Sequence, residues 1–468
     1  MNTRHVLIAG GGYVGMYAAF RLQKSLRKEI RRGEVTITVV EPRSYMTYQP
    51  FLPEAAAGNL EPRHVVVPLR RVLPDVQVIT GRIVSIDHAG RSARIEPRAG
   101  ATYDVHYDEL VVALGSVART LPIPGLAEQG IGFKQVEEAI QLRNHVLDRL
   151  DVAESTTNEE TRRRALSFVF VGGGYAGVEA LAELEDMARY ACRYYRNFRA
   201  EDMRWVLVEA AGRILPEVGE DMGRYTVERL RRRHIDVKLN TLLASCVGGH
   251  VELSDGTRFD SDTIVWTAGV KANPVIAASD LPRDDKGRLP TEPDLRVVGA
   301  DHVWAAGDCA AVPDLTGPPN ALCSPSAQHA VRQAKVLGDN VARALRGGLL
   351  HNYEHKHVGS VASLGLHKGV AQVYGIKLRG WPAWFMHRTY HISRMPTLNR
   401  KVRIVADWTL GLFFPREIVS LGSLQRPREE FERSALPRQF SPPASRSPEF
   451  EHAHAGGRTE VTWEQHRQ

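Results

Sequence analysis

Cysteine is scarce and unpaired in this chain. Cys192, Cys246, Cys309 and Cys323 form no CxxC or CxxxxC spacing, which argues against a disulfide framework, a cysteine zinc site and a redox-active dithiol, and points to a reducing compartment. His329 and His367 have no companions at ligand spacing, so no metal is expected. No apolar run approaches the roughly 18 residues needed to cross a bilayer, so any membrane contact is expected to be peripheral. A signal-peptide pattern is missing too, because the first apolar stretch runs directly into a glycine turn. Acidic residues are missing from one segment: Lys377, Arg379, Arg388, Arg394, Arg400, Lys401 and Arg403 follow one another with no Asp or Glu between them. The net charge of +7 over 468 residues is modest by comparison, and no nucleic-acid partner is expected. That length allows two or three domains.

What is present begins at residue 5, with HVLIAGGGYVG. The apolar run Val6 to Ile8 delivers the chain into Gly10, Gly12 and Gly15, and Met16 to Ile30 then has helical spacing. In such a strand, turn and helix, Gly10 makes the tight turn, Gly12 lets backbone approach a pyrophosphate, and Gly15 lets helix pack on strand. The helix N-terminus adds N–H donors and positive dipole. Glu41 ends the next apolar strand, Val35 to Val40, where its carboxylate can accept both hydroxyls of an adenosine ribose and would repel a 2′-phosphate. Its distance from Gly15, 26 residues against a typical figure of about 20, is absorbed by extending the helix through the basic stretch Lys24 to Arg32.

Tyr45 to Gly58, with two prolines and several aromatics, reads either as a loop packed near a ligand or as a surface loop. YDELVVALGS ends an apolar strand at Gly115, where chain can pass close to a dinucleotide. LSFVFVGGGYAGVE then restates the opening unit with Gly172, Gly174 and Gly177, and Trp205 to Glu209 again ends a strand in an acid, so two dinucleotides are expected. Ala180 to Arg199 is long enough for an extended helix, and Ala268-Gly269 is a second strand end like that at Gly115. Gly307 and Asp308 end a further strand; Asp308 either takes a hydroxyl of a sugar or polyol or caps the helix that follows. Ser326 is a candidate N-cap for Ala327 to Ala342, whose first turn carries Gln328.

From Leu378 the character changes. Trp381, Trp384, Phe385, Arg388, Ile392 and Met395 recur at helical spacing, with Pro382 in the first turn. Basic residues interleaved with Trp suit an interfacial helix on anionic lipid headgroups; the competing reading is an interdomain or homodimer contact. Pro437 to Gln468 has too little apolar content to fold and is expected to be a disordered tail.

With these motifs placed, the chain resembles the two-dinucleotide-binding-domain flavoproteins, and among them type II NADH dehydrogenase. GGGYVG, YDELVVALGS, GGGYAGVE, ILPEV, VWTAGV, AAGDCA and SAQHAVRQA carry the likeness over about residues 5 to 425. The resemblance implies an α/β fold with two Rossmann-like domains. A discontinuous FAD-binding domain would span 1–120 and 295–345, an inserted NADH-binding domain 121–294, a C-terminal membrane-associating region 346–435 and a tail 436–468. It implies tightly but non-covalently bound FAD on Gly10, Gly12, Gly15, Glu41, Gly115, Gly307, Asp308, Ala327 and Gln328, with Asp308 on the ribityl chain. NADH would lie on Gly172, Gly174, Gly177, Glu179, Glu209 and Gly269, with Glu179 near the nicotinamide. Gln328 would stand at the flavin edge where a quinone, menaquinone or ubiquinone, arrives, with Gln333 also contacting it; Glu179 and Gln328 are the catalytic candidates. Arg332 departs from the family pattern AQxAxQQ, which leaves the quinone contacts open. The implied activity is NADH:quinone oxidoreduction without proton pumping, at the cytoplasmic face of the cell membrane. A soluble reductase of a ferredoxin-like protein and a flavin-based redox sensor share the glycine motifs. Sulfide:quinone oxidoreductases keep cysteines near the flavin that have no clear match here.

Overall fold

The computed structural model describes residues 3–356 and 358–420. Two apolar β-strands, each running into a glycine turn, sit at the centres of two sheets. Arg4–Ala9 pairs in parallel with Val35–Glu41 on one side and Glu109–Val112 on the other. Val303–Ala305 and Gln77–Asp87 extend this sheet in parallel at its two sides. Ser92–Pro97 and Tyr103–His106 continue it antiparallel. In the second sheet Ser167–Val171 lies between Arg204–Val208 and Thr263–Trp266, with Ile235–Lys238 and Gly130–Gly132 outermost, all parallel. The central strands are buried along nearly their whole length, as parallel strands covered on both faces must be. Strand order reverses beside each of them, so both glycine turns lie at a switch point, where open α/β sheets leave a crevice.

The first helix is Tyr13–Ser25 and packs against Ala327–Leu345. A Cβ at Gly338 would lie 2.9 Å from the Arg21 Cβ, so this close approach needs a glycine. Two short strands, Ser116–Ala118 and Val270–Ala272, pair antiparallel where the chain passes between the two sheets. Beyond the Ala327–Leu345 helix, a three-stranded antiparallel sheet (Gly359–Ser363, Gly369–Val373, Ile376–Arg379) leads into helices Trp381–Arg394 and Leu398–Leu410. Among the described residues no helix is long and apolar enough to cross a membrane.

Several local expectations are corrected. The opening helix does not run on through the basic stretch: it stops at Leu26 (φ −100°, ψ 20°) and a separate short helix, Arg27–Arg31, follows. Tyr45 to Gly58 is not a loop but a strand, Tyr45–Thr47, a 3-10 turn and the helix Leu52–Ala56, whose residues are all buried. The second long helix ends at Ala191 and a 3-10 turn, Cys192–Tyr194, follows, short of Arg199. Pro382 does occupy the first turn of its helix. The tail expected at 436–468, and residues 421–435 before it, lie outside the described residues.

Candidate functional site

The two glycine turns are built alike. Gly10 (φ +104°) and Gly172 (φ +117°) occupy backbone conformations that side chains resist, and a Cβ on either would strike the neighbouring strand end, 2.5 Å from the Ala113 carbonyl or 2.7 Å from Thr267 Oγ1. A Cβ at Gly15 would lie 1.8 Å from the Gly10 oxygen, and one at Gly177 2.0 Å from the Gly172 oxygen. Gly12 and Gly174 differ: nothing lies within 4 Å of the Cβ each lacks. Each turn therefore closes tightly behind and stays open in front, at the start of a helix whose first N–H groups are free to meet an anion.

An acid stands over each turn. Glu41 accepts the Gly11 N–H at 2.7 Å and the Arg43 N–H at 3.3 Å. Glu209 accepts the Gly173 N–H at 2.5 Å and the Ala211 N–H at 2.7 Å. These bonds fix both carboxylates and leave lone pairs for two vicinal hydroxyls. Burial raises the Glu41 pKa, with the two N–H groups acting against it. Gly11 and Gly173 are residues that the spacing argument missed. A Cβ would lie 2.7 Å from Leu69 Cδ1 in the first turn and 2.6 Å from Ile214 Cγ2 in the second. The unbroken GGG in both motifs was the available signal.

Gly115 (φ +62°) and Gly269 (φ +91°) end their strands with open space on the Cβ side. Near Gly115, Ser116 Oγ donates to Asp308 Oδ2 at 2.6 Å. Asp308 does not cap the following helix: Ser326 does, its hydroxyl accepting the His329 N–H at 3.2 Å. Gly307 (φ +73°) donates its N–H to Gln333 Oε1 at 2.8 Å, and Gln333 is itself buried, so this glutamine braces the Gly307 turn from inside. Gln328, one turn nearer the helix start, has a buried Oε1 with no protein partner. An orphaned acceptor is costly unless something supplies a donor. Arg332, at the departure from the family pattern, donates back to the Gln328 carbonyl at 2.9 Å.

Glu179 lies where the second unit meets the C-terminal helices. Its Oε1 accepts the Ser363 N–H at 2.7 Å and faces His387 Nε2 at 3.2 Å. One turn on, buried Glu183 takes the Ser363 hydroxyl at 2.7 Å and the Asn59 amide at 3.2 Å. Burial and then the Glu54 charge push the Glu183 pKa up to about 7. Burial opposes charge on His387, yet its bond to Glu179 and the charges of Glu54 and Glu183 bring its pKa above the ordinary histidine value. Arg388 forks onto Glu54 at 3.2 and 2.8 Å, between the Trp384 and Trp408 rings, and Trp408 Nε1 donates to Glu54 at 2.8 Å. Sequence reading left Arg388 and Trp384 open between a lipid-facing stripe and a contact with the body; the structure turns both inward. Trp381 and Phe385 remain exposed, joined by Leu398, Val402, Val405, Leu410, Leu412, Phe413 and Phe414.

A cavity of about 1060 Å³ opens between the loop after Arg204–Val208 and the three-stranded sheet, lined by Glu217, Gly219, Ser360, Gln372 and Tyr374 among others.

Comparisons with known proteins agree with this arrangement. The sequence pattern of the pyridine nucleotide-disulphide oxidoreductase family matches residues 4–334. A type II NADH:quinone oxidoreductase of Staphylococcus aureus is 32% identical over 393 residues, covering 83% of this chain and 94% of that protein. The corresponding Mycobacterium tuberculosis protein is 28% identical over 429 residues, covering 88% and 89%. In fold, the chain is similar to the NDH2 of Plasmodium falciparum solved in complex with NADH (TM-score 0.81, 17% identity, 89% of this chain and 100% of that one). It also resembles, at TM-score 0.66 and 16% identity, the sulfide:quinone oxidoreductase of Aquifex aeolicus, over 89% and 96% of the two chains. Two glycine turns built alike, a matching family pattern over most of the length and a relative sharing nearly a third of its residues lead to one conclusion: the chain belongs to the pyridine nucleotide-disulphide oxidoreductase family, among the type II NADH:quinone oxidoreductases.

Proposed function

We propose that this protein oxidises NADH and reduces a membrane quinone through FAD, from the membrane surface and without pumping protons. The observation that carries the reading is the duplicated turn, open only at Gly12 and Gly174 and overhung by Glu41 and Glu209. These features suit two adenine dinucleotides with free 2′-hydroxyls. The first unit, 1–120 with 295–345, takes FAD, and 121–294 takes NADH. FAD supplies a ring that accepts a hydride and returns electrons to a second acceptor.

The protein's own work is alignment and exclusion of water. Glu41 and Asp308 fix the two ends of the flavin cofactor, and Gln333 keeps Gly307 in the turn that presents Asp308. Gly269 and Glu209 hold NADH, with Glu179 beside the nicotinamide. The unpartnered Gln328 oxygen accepts a donor at the edge where quinone arrives. No side-chain nucleophile is required for this transfer.

The exposed apolar residues of the two C-terminal helices, next to exposed Arg394 and Arg403, favour an anionic bilayer over a soluble protein acceptor. Burying aliphatic side chains among lipid tails is worth about 0.8 kcal/mol per CH₂, and a quinone is delivered from the same phase. The test is anaerobic mixing with NADH followed by a quinone analogue. Flavin absorbance should bleach and then return, and Gln328→Ala should bleach normally but recover slowly. A colourless protein that stays colourless when supplied with FAD refutes the reading, and equal slowing of both steps in Gln328→Ala refutes the role of that residue.

A further inference from the structure

A cation from the second unit reaches into the first. Lys134 follows Gly130–Gly132, one of the two edge strands of the second sheet. Its backbone is pinned from both sides: the Lys134 N–H donates to Glu138 Oε2 at 2.6 Å, and its carbonyl accepts the Gln49 amide at 3.1 Å. From that fixed base the half-buried ammonium donates to the Ser116 carbonyl at 2.5 Å and the Ser116 hydroxyl at 2.6 Å. The same hydroxyl donates to Asp308 at 2.6 Å. Ammonium, hydroxyl and carboxylate thus stand in a row beside Gly115, whose Cβ side is open. Ser116 occupies two of the three ammonium N–H groups, which leaves one for a ligand.

Resting on the reading that the first unit holds FAD, we infer that Lys134 is a positioning residue that sets the redox potential of that flavin by neutralising Asp308 beside it. Adding two electrons and one proton to the flavin ring leaves it with a net negative charge. A carboxylate fixed to the ribityl chain disfavours that charge, and an ammonium two hydrogen bonds away offsets it. Burial lowers the lysine pKa, against the pull of Asp308 and Glu138. The bridge also ties the NADH-binding unit to the flavin carboxylate, so the position of one unit and the electron affinity of the other share a side chain.

The experiment compares the full chain with Lys134→Met, Lys134→Arg and Ser116→Ala. Bound FAD is counted by absorbance, and the midpoint potential is measured by equilibrium reduction against a reference dye. Lys134→Met should keep its flavin and lose about tenfold in preference for the reduced form, a shift of about 30 mV to more negative potential for a two-electron couple. Lys134→Arg should stay near the parent value. Ser116→Ala breaks the bridge but keeps the charge, and should shift less than Lys134→Met. An unmoved potential in flavin-bearing Lys134→Met overturns the inference, as does an equal shift in Ser116→Ala. Should Lys134→Met lose its flavin, Lys134→Arg decides, because failure to restore both flavin and potential overturns the charge argument. A parent chain that never binds FAD would instead refute the functional reading.

Discussion

Replacing Arg388 by Met should release the C-terminal helices without unfolding the rest of the protein. Glu54 is 1% exposed and both its oxygens are taken by the Arg388 guanidinium, one of them also by the Trp408 indole. Methionine fills similar space but leaves the carboxylate with one neutral donor. Breaking a buried pair from one side in this way costs about 3–5 kcal/mol. Two cation–π contacts, at 4.0 and 4.8 Å from the Trp384 and Trp408 rings, go with it. The last helix has few other anchors: Ile404 is its only buried residue among those described, Asp407 is bonded to His64 at 2.6 Å and takes the Glu61 N–H at 3.2 Å, and Trp408 packs edge-on against Phe51. The loss therefore falls on helix docking before it falls on the two sheets. Urea titration followed by tryptophan fluorescence should show a new early transition, and vesicle-bound quinone turnover should collapse while NADH still reduces the flavin. A double variant, Glu54→Leu with Arg388→Met, should recover more than half of the lost stability, because the cost lies in the stranded charge. A single variant within 1 kcal/mol of the parent (about a fivefold change in the local equilibrium), with quinone turnover intact, would refute the reasoning.

Gly12→Ala and Gly15→Ala should fail in opposite ways: compared without flavin, the first keeps its melting temperature although its flavin affinity falls, and the second is destabilised because its Cβ meets the Gly10 oxygen at 1.8 Å. Calorimetry and flavin content check the pair. Glu209→Gln keeps an acceptor for the Gly173 N–H but removes the charge. The preference of kcat/KM for NADH over NADPH should narrow by about tenfold, or 1.4 kcal/mol, and an unchanged ratio counts against the assignment. Glu183 has a folded-state pKa of about 7, above its ordinary value, so its neutral form favours folding. That contribution is complete at acid pH below the unfolded pKa and is lost as pH rises through about 7. Denaturant titrations across this range should show the parent weakening while Glu183→Gln does not; parallel curves would dismiss Glu183 as the cause.

The parts legible in the sequence are those written locally. A strand, three glycines at fixed spacing and an acid at the next strand end describe one βαβ unit, and its repetition at 166–209 gave the second. Ser326 was readable as a cap because capping involves residues three apart. The Arg388–Glu54 pair was not readable. Arg388 and Glu54 are 334 positions apart, and helical spacing marks a face without saying whether body or solvent lies against it. Lys134 stayed hidden for the same reason, since nothing near it announces an Asp308 partner. Asp308 was open between cap and ligand, and the structure removes the first reading because Ser326 caps the helix. The break at Leu26 was missed because the basic residues beyond it fit a helix as well as they fit two.

The paired crossings Ser116–Ala118 and Val270–Ala272 carry one more implication. Ser116 lies directly opposite Ala272, a gap of about 5 Å between Cα atoms in such a pair. Everything threaded between those points is a cassette whose doorway is one rung wide. A short turn could close over its removal, and a foreign nucleotide-binding module with equally close ends could be spliced in its place without disturbing the sheet that receives it.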